Sequence, residues 1–165
     1  MPIIDKNVLA TVQKYAIAHQ EFSCNPDLAD TAAFCEHYGF TADESANTII
    51  VASRTDPVQY AACLVLANTR LDVNKTVRSL MGVKKASFAS SEQTKDVTGM
   101  MIGGVTVFGL PEDIPIYVDS RIMECKRIVV GGGNRSSKVI LSPAELLKIP
   151  SVRITPDLAK QLPQE

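Results

Sequence analysis

The segment Gly103-Gly104-Val105-Thr106-Val107-Phe108-Gly109 places three glycines within seven residues. Without a Cβ, glycine turns tightly and lets other groups approach its backbone, so such a stretch can aim backbone N–H groups at one point. Donors that converge in this way hold a carbonyl or stabilise an oxyanion. An ordinary bent hairpin has the same composition, and on these residues alone it is the stronger reading. Lys75 and Arg78 lie three apart in a helical pattern, where they share a face and can bind phosphates; a solvated helix face is the commoner meaning of such a pair. Lys84, Lys85, Lys126 and Arg127 are further cations of the same kind. Asp119 follows an apolar run and precedes a helical turn, so it either caps that turn or reaches water between strand ends. Asn47, with one amide donor group and one acceptor, either starts a strand or lines a site.

Other groupings carry less. Gly131-Gly132-Gly133-Asn134-Arg135-Ser136 resembles a phosphate loop in composition, but a strand follows it, so the helix N-terminus that would reinforce anion binding is missing. A hairpin turn is expected there, with Arg135 at the rim of a site. His19, Cys24, Cys35 and His37 fit no zinc spacing, and both histidines fall in the N-terminal helices, far in sequence from the glycine-rich loop. Neither a metal nor any other cofactor is expected, and a histidine base is not indicated.

Positioning these residues requires a folded domain, and the composition supplies one. The 165 residues are 45% hydrophobic, enough for one sizeable core and too few for two comfortable domains. We therefore expect a single domain over 1–165, with an N-terminal helical extension over 1–25 and a C-terminal tail over 150–165. A formal net charge of −1 and a mean hydropathy of +0.07 are typical of a soluble globular protein and uninformative about a nucleic-acid partner, so any such contact must use a local patch; no DNA contact is expected. Met1–Ala10 lacks a signal-peptide pattern and no run approaches about 18 apolar residues, so no membrane contact and a cytoplasmic location are expected. Four cysteines without a C-x-x-C pair argue for reduced, mostly buried thiols.

Periodicity predicts helices over Val8–Ala18, about 26–38, Val73–Met81 and Ser90–Gly99, the last from a Ser90-Ser91-Glu92-Gln93 capping box. Strands are predicted over Asn47–Ala52, Val58–Ala67, Lys84–Ala89, Ile116–Val118, Arg127–Val130, Lys138–Leu141 and Val152–Ile154. The Val58–Ala67 run is apolar on both faces and belongs at the centre of a sheet. Ser120–Cys125 reads as a helical turn, Ser142-Pro143-Ala144-Glu145 as a helix start, and the C-terminus as a final helical turn. Hairpins mixed with crossovers give an α+β fold with a mixed, partly curled, barrel-like sheet and surrounding helices.

The order of these signals resembles the YbaK and ProX-like family of stand-alone aminoacyl-tRNA editing domains from Asp27 to Leu147, and with it the editing domain associated with prolyl-tRNA synthetase. Asp72-Val-Asn-Lys-Thr-Val-Arg-Ser-Leu-Met-Gly82 is similar to its "D-x-x-K" helix, and Ala86–Thr98 to its strand followed by an "S/A-x-x-E" helix. Thr98-Gly99 and Gly103–Gly109 resemble its "T-G... G-G-x-S-P-x-G" loop, Ile116–Asp119 the strand that follows, and Ile128–Leu147 its closing hairpin and "L-S/A-P-x-D/E-L" helix. Two positions depart: the family pattern has a lysine in the strand entered by Ser45-Ala46-Asn47-Thr48 and a proline closing the loop, where this chain has Asn47 and Val107.

The resemblance implies hydrolysis of aminoacyl-tRNA esters by water. Gly103 and Gly104 would hold the ester carbonyl, Asn47 would orient the substrate, and Asp119 would lie close to the cleft. Thr106, Val107 and Phe108 would bind the aminoacyl group, and Lys75 and Arg78 would receive the acceptor end of the tRNA. An aminoacyl-tRNA synthetase is a further partner compatible with it. Loss of the lysine also fits a non-catalytic protein that keeps the pocket for an aminoacyl-adenosine, a tRNA or another small ligand. Restoring the charge through Asn47→Lys is expected to raise deacylation.

Overall fold

The computed structural model describes residues 3–162. Helix α1 (Lys6–Lys14) begins at Asp5, whose carboxylate accepts from the Asn7 N–H, and buries Val8 and Val12. It ends earlier than the periodicity predicts because Ala16 adopts φ 51°, which turns the chain so that Ile17 enters the core. Strand β1 (Gln20–Ser23) follows. The predicted second helix is divided into a 3-10 turn (Pro26–Leu28) and α2 (Thr31–Tyr38). At the break, Asp30 is extended and the carbonyl of buried Ala29 accepts from the Lys138 ammonium at 2.7 Å instead of continuing a helical ladder.

Strands β2 (Ala46–Ser53) and β3 (Tyr60–Leu66) form an antiparallel pair, Asn47 opposite Val65 and Ile50 opposite Ala62. Strand β4 (Thr69–Leu71) leads to a π-helical turn (Val73–Val77) that runs into α3 (Arg78–Met81). Strand β5 (Ala86–Phe88) precedes α4 (Ser91–Thr98), which starts with the predicted capping box: Gln93 N–H donates to Ser90 Oγ, and Ser90 N–H to Gln93 Oε1. No regular element occupies 99–115. Strand β6 (Ile116–Asp119), a 3-10 turn (Ser120–Glu124), the hairpin β7 (Ile128–Gly131) and β8 (Ser137–Leu141), a 3-10 turn (Pro143–Lys148), β9 (Val152–Thr155) and β10 (Ala159–Gln161) complete the fold.

The main sheet has the order β5-β2-β3-β6-β9, antiparallel up to β3 and parallel beyond it. This is the mixed sheet that the pattern of hairpins and crossovers implies, with β3 at its centre. A second, antiparallel sheet has the order β1-β8-β7 and touches the first through a parallel bridge between Ser45 and Val129, so the two curl around a shared interior without closing. The final helical turn is corrected: Ala159–Gln161 pairs with β4, covering an edge strand while burying Leu158 and Ala159.

Alternation along β3 assigns its two faces. Ala62, Leu64 and Leu66 enter the core between the sheets together with Val8, Phe108, Val118, Ile128, Val139 and Leu146. Ala61, Cys63 and Val65 pack on the other side with Val77, Tyr117 and Leu158. A third cluster places Phe34 between Phe22, Tyr38 and Phe40, with Phe22 meeting Phe34 edge-on at 5.7 Å. Edge-to-face rings add to area burial, so this cluster fixes α2 against the second sheet.

Candidate active site

A cavity of about 370 Å³ lies where β2 of the main sheet parts from the β7–β8 hairpin. Its opening follows from strand length. Strand β5 pairs only with Val51–Ser53, and the Ile50 carbonyl accepts one further bond, from the Ala89 N–H. At the other end the Glu44 carbonyl accepts from the Val129 N–H. Between these two bonds Ala46 and Thr48 turn their backbone groups toward the same edge of β2, where no strand is paired. That stretch forms one wall. The turn around Ala29–Thr31, the ring of Phe34 and the loop at Ile102–Val105 form the others.

Asn47 lies on this wall, where the resemblance places it. Thr31 Oγ1 donates to its Oδ1 at 2.6 Å, which leaves Nδ2 as the group the side chain offers to a ligand. The loop is held down by the hairpin: Arg135 donates from Nη1 to the Ile102 carbonyl at 2.7 Å and from Nη2 to the Pro26 carbonyl at 3.0 Å, and pairs with Asp30 at 3.3 Å. Two glycines permit that contact. Gly103 has φ 95°, and a Cβ there would sit 2.0 Å from Arg135 Nη1; a Cβ at Gly104 would sit 2.5 Å from the Asn134 carbonyl oxygen. The Gly104 N–H is engaged by the Met101 carbonyl and the Gly104 carbonyl by the Gly133 N–H, so Gly104 shapes the loop while Gly103 lines the cavity.

The remaining positions named from sequence lie elsewhere. Thr106, Val107 and Phe108 are buried below the loop, the last two within the core between the sheets. The lining contains Ile102, Gly103 and Val105, residues that precede them. Asp119 is fully buried and pairs with Arg121 at 3.2 Å while capping the turn that follows β6; it does not line the cavity. Lys75 is exposed on the π-helical turn and Arg78 donates to the Asn74 carbonyl, and neither borders the cavity. Phe88 and Ile102, both more than half exposed, stand at its mouth.

Lys138 was not singled out as a site residue by sequence reasoning. It projects from β8, whose five residues are all buried, and its ammonium enters the cavity wall. Nζ donates to the Ala29 carbonyl at 2.7 Å and the Gly103 carbonyl at 3.2 Å and lies 5.3 Å from the centre of the Phe34 ring. Burial pushes its pKa down, nearby Arg135 adds to that shift, and the Asp30 carboxylate is among the groups that oppose it. The available signal was a lysine within a short strand whose following residues, Val139, Ile140 and Leu141, are all apolar. Among the described residues no group of three or more His, Cys, Asp or Glu side chains is arranged to hold a metal.

A mixed sheet split open over a small cavity, with a glycine-bent loop clasped across it, defines an α+β domain with a cavity between its two sheets. The aminoacyl-tRNA editing domain family matches residues 25–149, and the chain belongs to that family. It is 23% identical over 146 residues to the "Putative Cys-tRNA(Pro)/Cys-tRNA(Cys) deacylase EbsC" of Enterococcus faecalis (strain ATCC 700802 / V583), with 87% of each chain covered. It is 27% identical over 140 residues to "Uncharacterized protein YwhH" of Bacillus subtilis (strain 168), with 85% of each covered. Among solved structures, the "hypothetical protein APE2540" superposes with a TM-score of 0.83 at 21% identity, covering 94% of this chain and 100% of the other. A "putative trans-editing enzyme for prolyl tRNA synthetase" gives 0.80 at 18% identity, covering 95% and 96%. These likenesses confirm the fold that the spacing of segments implied. Among the described residues no helix is long and apolar enough to cross a membrane.

Proposed function

We propose that the protein is an aminoacyl-tRNA deacylase whose substrate enters the cavity between β2 and the β7–β8 hairpin. The observation that carries this reading is the cavity itself: in a chain of the editing family, about 370 Å³ of mostly apolar space is bordered by Asn47 and Gly103. That volume falls at the small end of ligand sites, of about 300–1,000 Å³. It suits a small, uncharged amino-acid side chain together with the ester group. The name carried by the Enterococcus relative points in the same direction.

In the reaction a water oxygen bonds to the ester carbonyl carbon, the bond from that carbon to the ribose oxygen breaks, and a proton from the water passes to the ribose oxygen. The free amino acid and an uncharged tRNA result. An aminoacyl ester is already activated, so holding the carbonyl and the water in register supplies much of the acceleration. Asn47 Nδ2 orients the substrate from β2. Phe88 and Ile102 at the mouth offer apolar surface to the terminal nucleotide, since aromatic faces accept any base. A synthetase that releases mischarged tRNA is the fitting partner.

The test is incubation of the purified protein with a panel of correctly and wrongly charged tRNAs. Release of one or a few small amino acids well above buffer hydrolysis is expected. Release at the buffer rate across the panel overturns the reading, and binding without turnover assigns the fold to ligand capture instead.

A further inference from the structure

We infer that the Lys138 ammonium is the group that binds the carbonyl oxygen of the aminoacyl ester and stabilises the negative charge that develops on it. The inference rests on the deacylase reading above and assigns to a residue of β8 the charged contact within that site.

A lysine ammonium carries three N–H donors. Two are directed to the carbonyls of Ala29 and Gly103, and the hydrogen bonds of the described residues give the third no protein acceptor. No carboxylate among the described residues forms an ion pair with Lys138; Asp30, which lines the same cavity, pairs with Arg135. A buried cation without a counter-ion is unfavourable for folding, and an apolar side chain of similar length would fill the same space. Such a group is characteristic of a functional site. The two carbonyls and the Phe34 ring hold the ammonium in place without neutralising it, so its field remains available to a ligand.

As water adds to the ester carbon, the carbonyl π electrons move onto oxygen and the third N–H donates to that oxygen. As the bond to the ribose oxygen breaks, the electrons return and the ammonium keeps its proton throughout. A fixed positive donor in a site of low dielectric favours this charge without reorganising. The same Lys138 contacts join the Ala29 turn to the Gly103 loop, so a purely structural strut is the competing role, and the test must separate the two.

The experiment compares wild type, Lys138→Met and the double variant Lys138→Met with Asn47→Lys, which moves the charge to β2 on another wall of the same cavity. It reads single-turnover release from the mischarged tRNA that wild type cleaves, the Kd of an amide-linked aminoacyl-adenosine analogue, and the melting temperature. Lys138→Met is expected to lower the release rate about 100-fold, the loss typical of one oxyanion donor. The analogue's Kd is expected to rise roughly tenfold, and the double variant to recover at least about tenfold in rate. Release by Lys138→Met within about twofold of wild type, or a lowered melting temperature with no recovery in the double variant, makes Lys138 a strut and overturns the inference. If wild type cleaves no charged tRNA, the deacylase reading falls and analogue binding decides alone: a Kd unchanged by Lys138→Met, or no binding to wild type, overturns the contact as well.

Discussion

Asn47 and Lys138 reach one cavity from two different sheets, and this changes what a substitution at Asn47 should do. From the resemblance alone, Asn47→Lys raises deacylation by restoring a charge. With the Lys138 ammonium already in the wall, a second ammonium meets a like charge in a poorly solvated space, and one of the two must give up its proton or move away. Asn47→Lys in the otherwise unaltered protein is therefore expected to lower deacylation several-fold, and steady-state kinetics beside the Lys138→Met background will show the sign reversed. Cysteine offers a second residue-scale prediction. Burial pushes the Cys63 thiol up to about 12, so at pH 8 its thiolate population is negligible. Thiol titration of the native protein should leave Cys63 unmodified while half-buried Cys35 and Cys125 react, and denaturant should expose it.

At the scale of elements, the glycine-rich loop depends on close contact with the β7–β8 hairpin. Gly104→Val places a branched side chain against the Asn134 backbone, which cannot give way as a flexible side chain would. The loop must lift, carrying Gly103 from Lys138 and Ile102 from Arg135. Deacylation is expected to fall by at least about tenfold, a common result of small misplacement at a site, and hydrogen exchange at residues 101–105 to accelerate. Elements with local signals were legible in the sequence: the Ser90–Gln93 capping box, and the apolar run of β3 that reads as a strand covered on both faces. The break at Ala29–Asp30 was not, because its cause is an ammonium 109 residues away that takes the Ala29 carbonyl. Lys138 escaped notice for the same reason, since which side of β8 faces a cavity depends on how two sheets splay. Val107 and Phe108 looked like pocket residues because they continue the loop, yet the chain dives into the core immediately after Val105.

For the whole molecule, the core between the sheets sets the separation of the two cavity walls. Phe108, fully buried there, is expected to matter for stability: Phe108→Ala should cost about 3–5 kcal/mol. That corresponds to a melting temperature lower by roughly 6–20 °C in a domain of this size, measurable by calorimetry. The family assignment covers residues 25–149, so α1 and the whole of β1 lie before the matched region, yet α1 contributes Val8 and Val12 to this same core. The unpaired edge of β2 has a further consequence. An open strand edge normally invites pairing with another chain. Here the stretch from Ala46 to Thr48, buried at Ala46 and half-buried at Asn47 and Thr48, forms a wall of a narrow cavity flanked by the Ala29–Thr31 turn and the Ile102–Val105 loop, which leaves little room for an incoming strand. The split that makes room for a ligand thus also restricts access to an adhesive edge, and resistance to edge-to-edge aggregation comes from the same gap in the sheet.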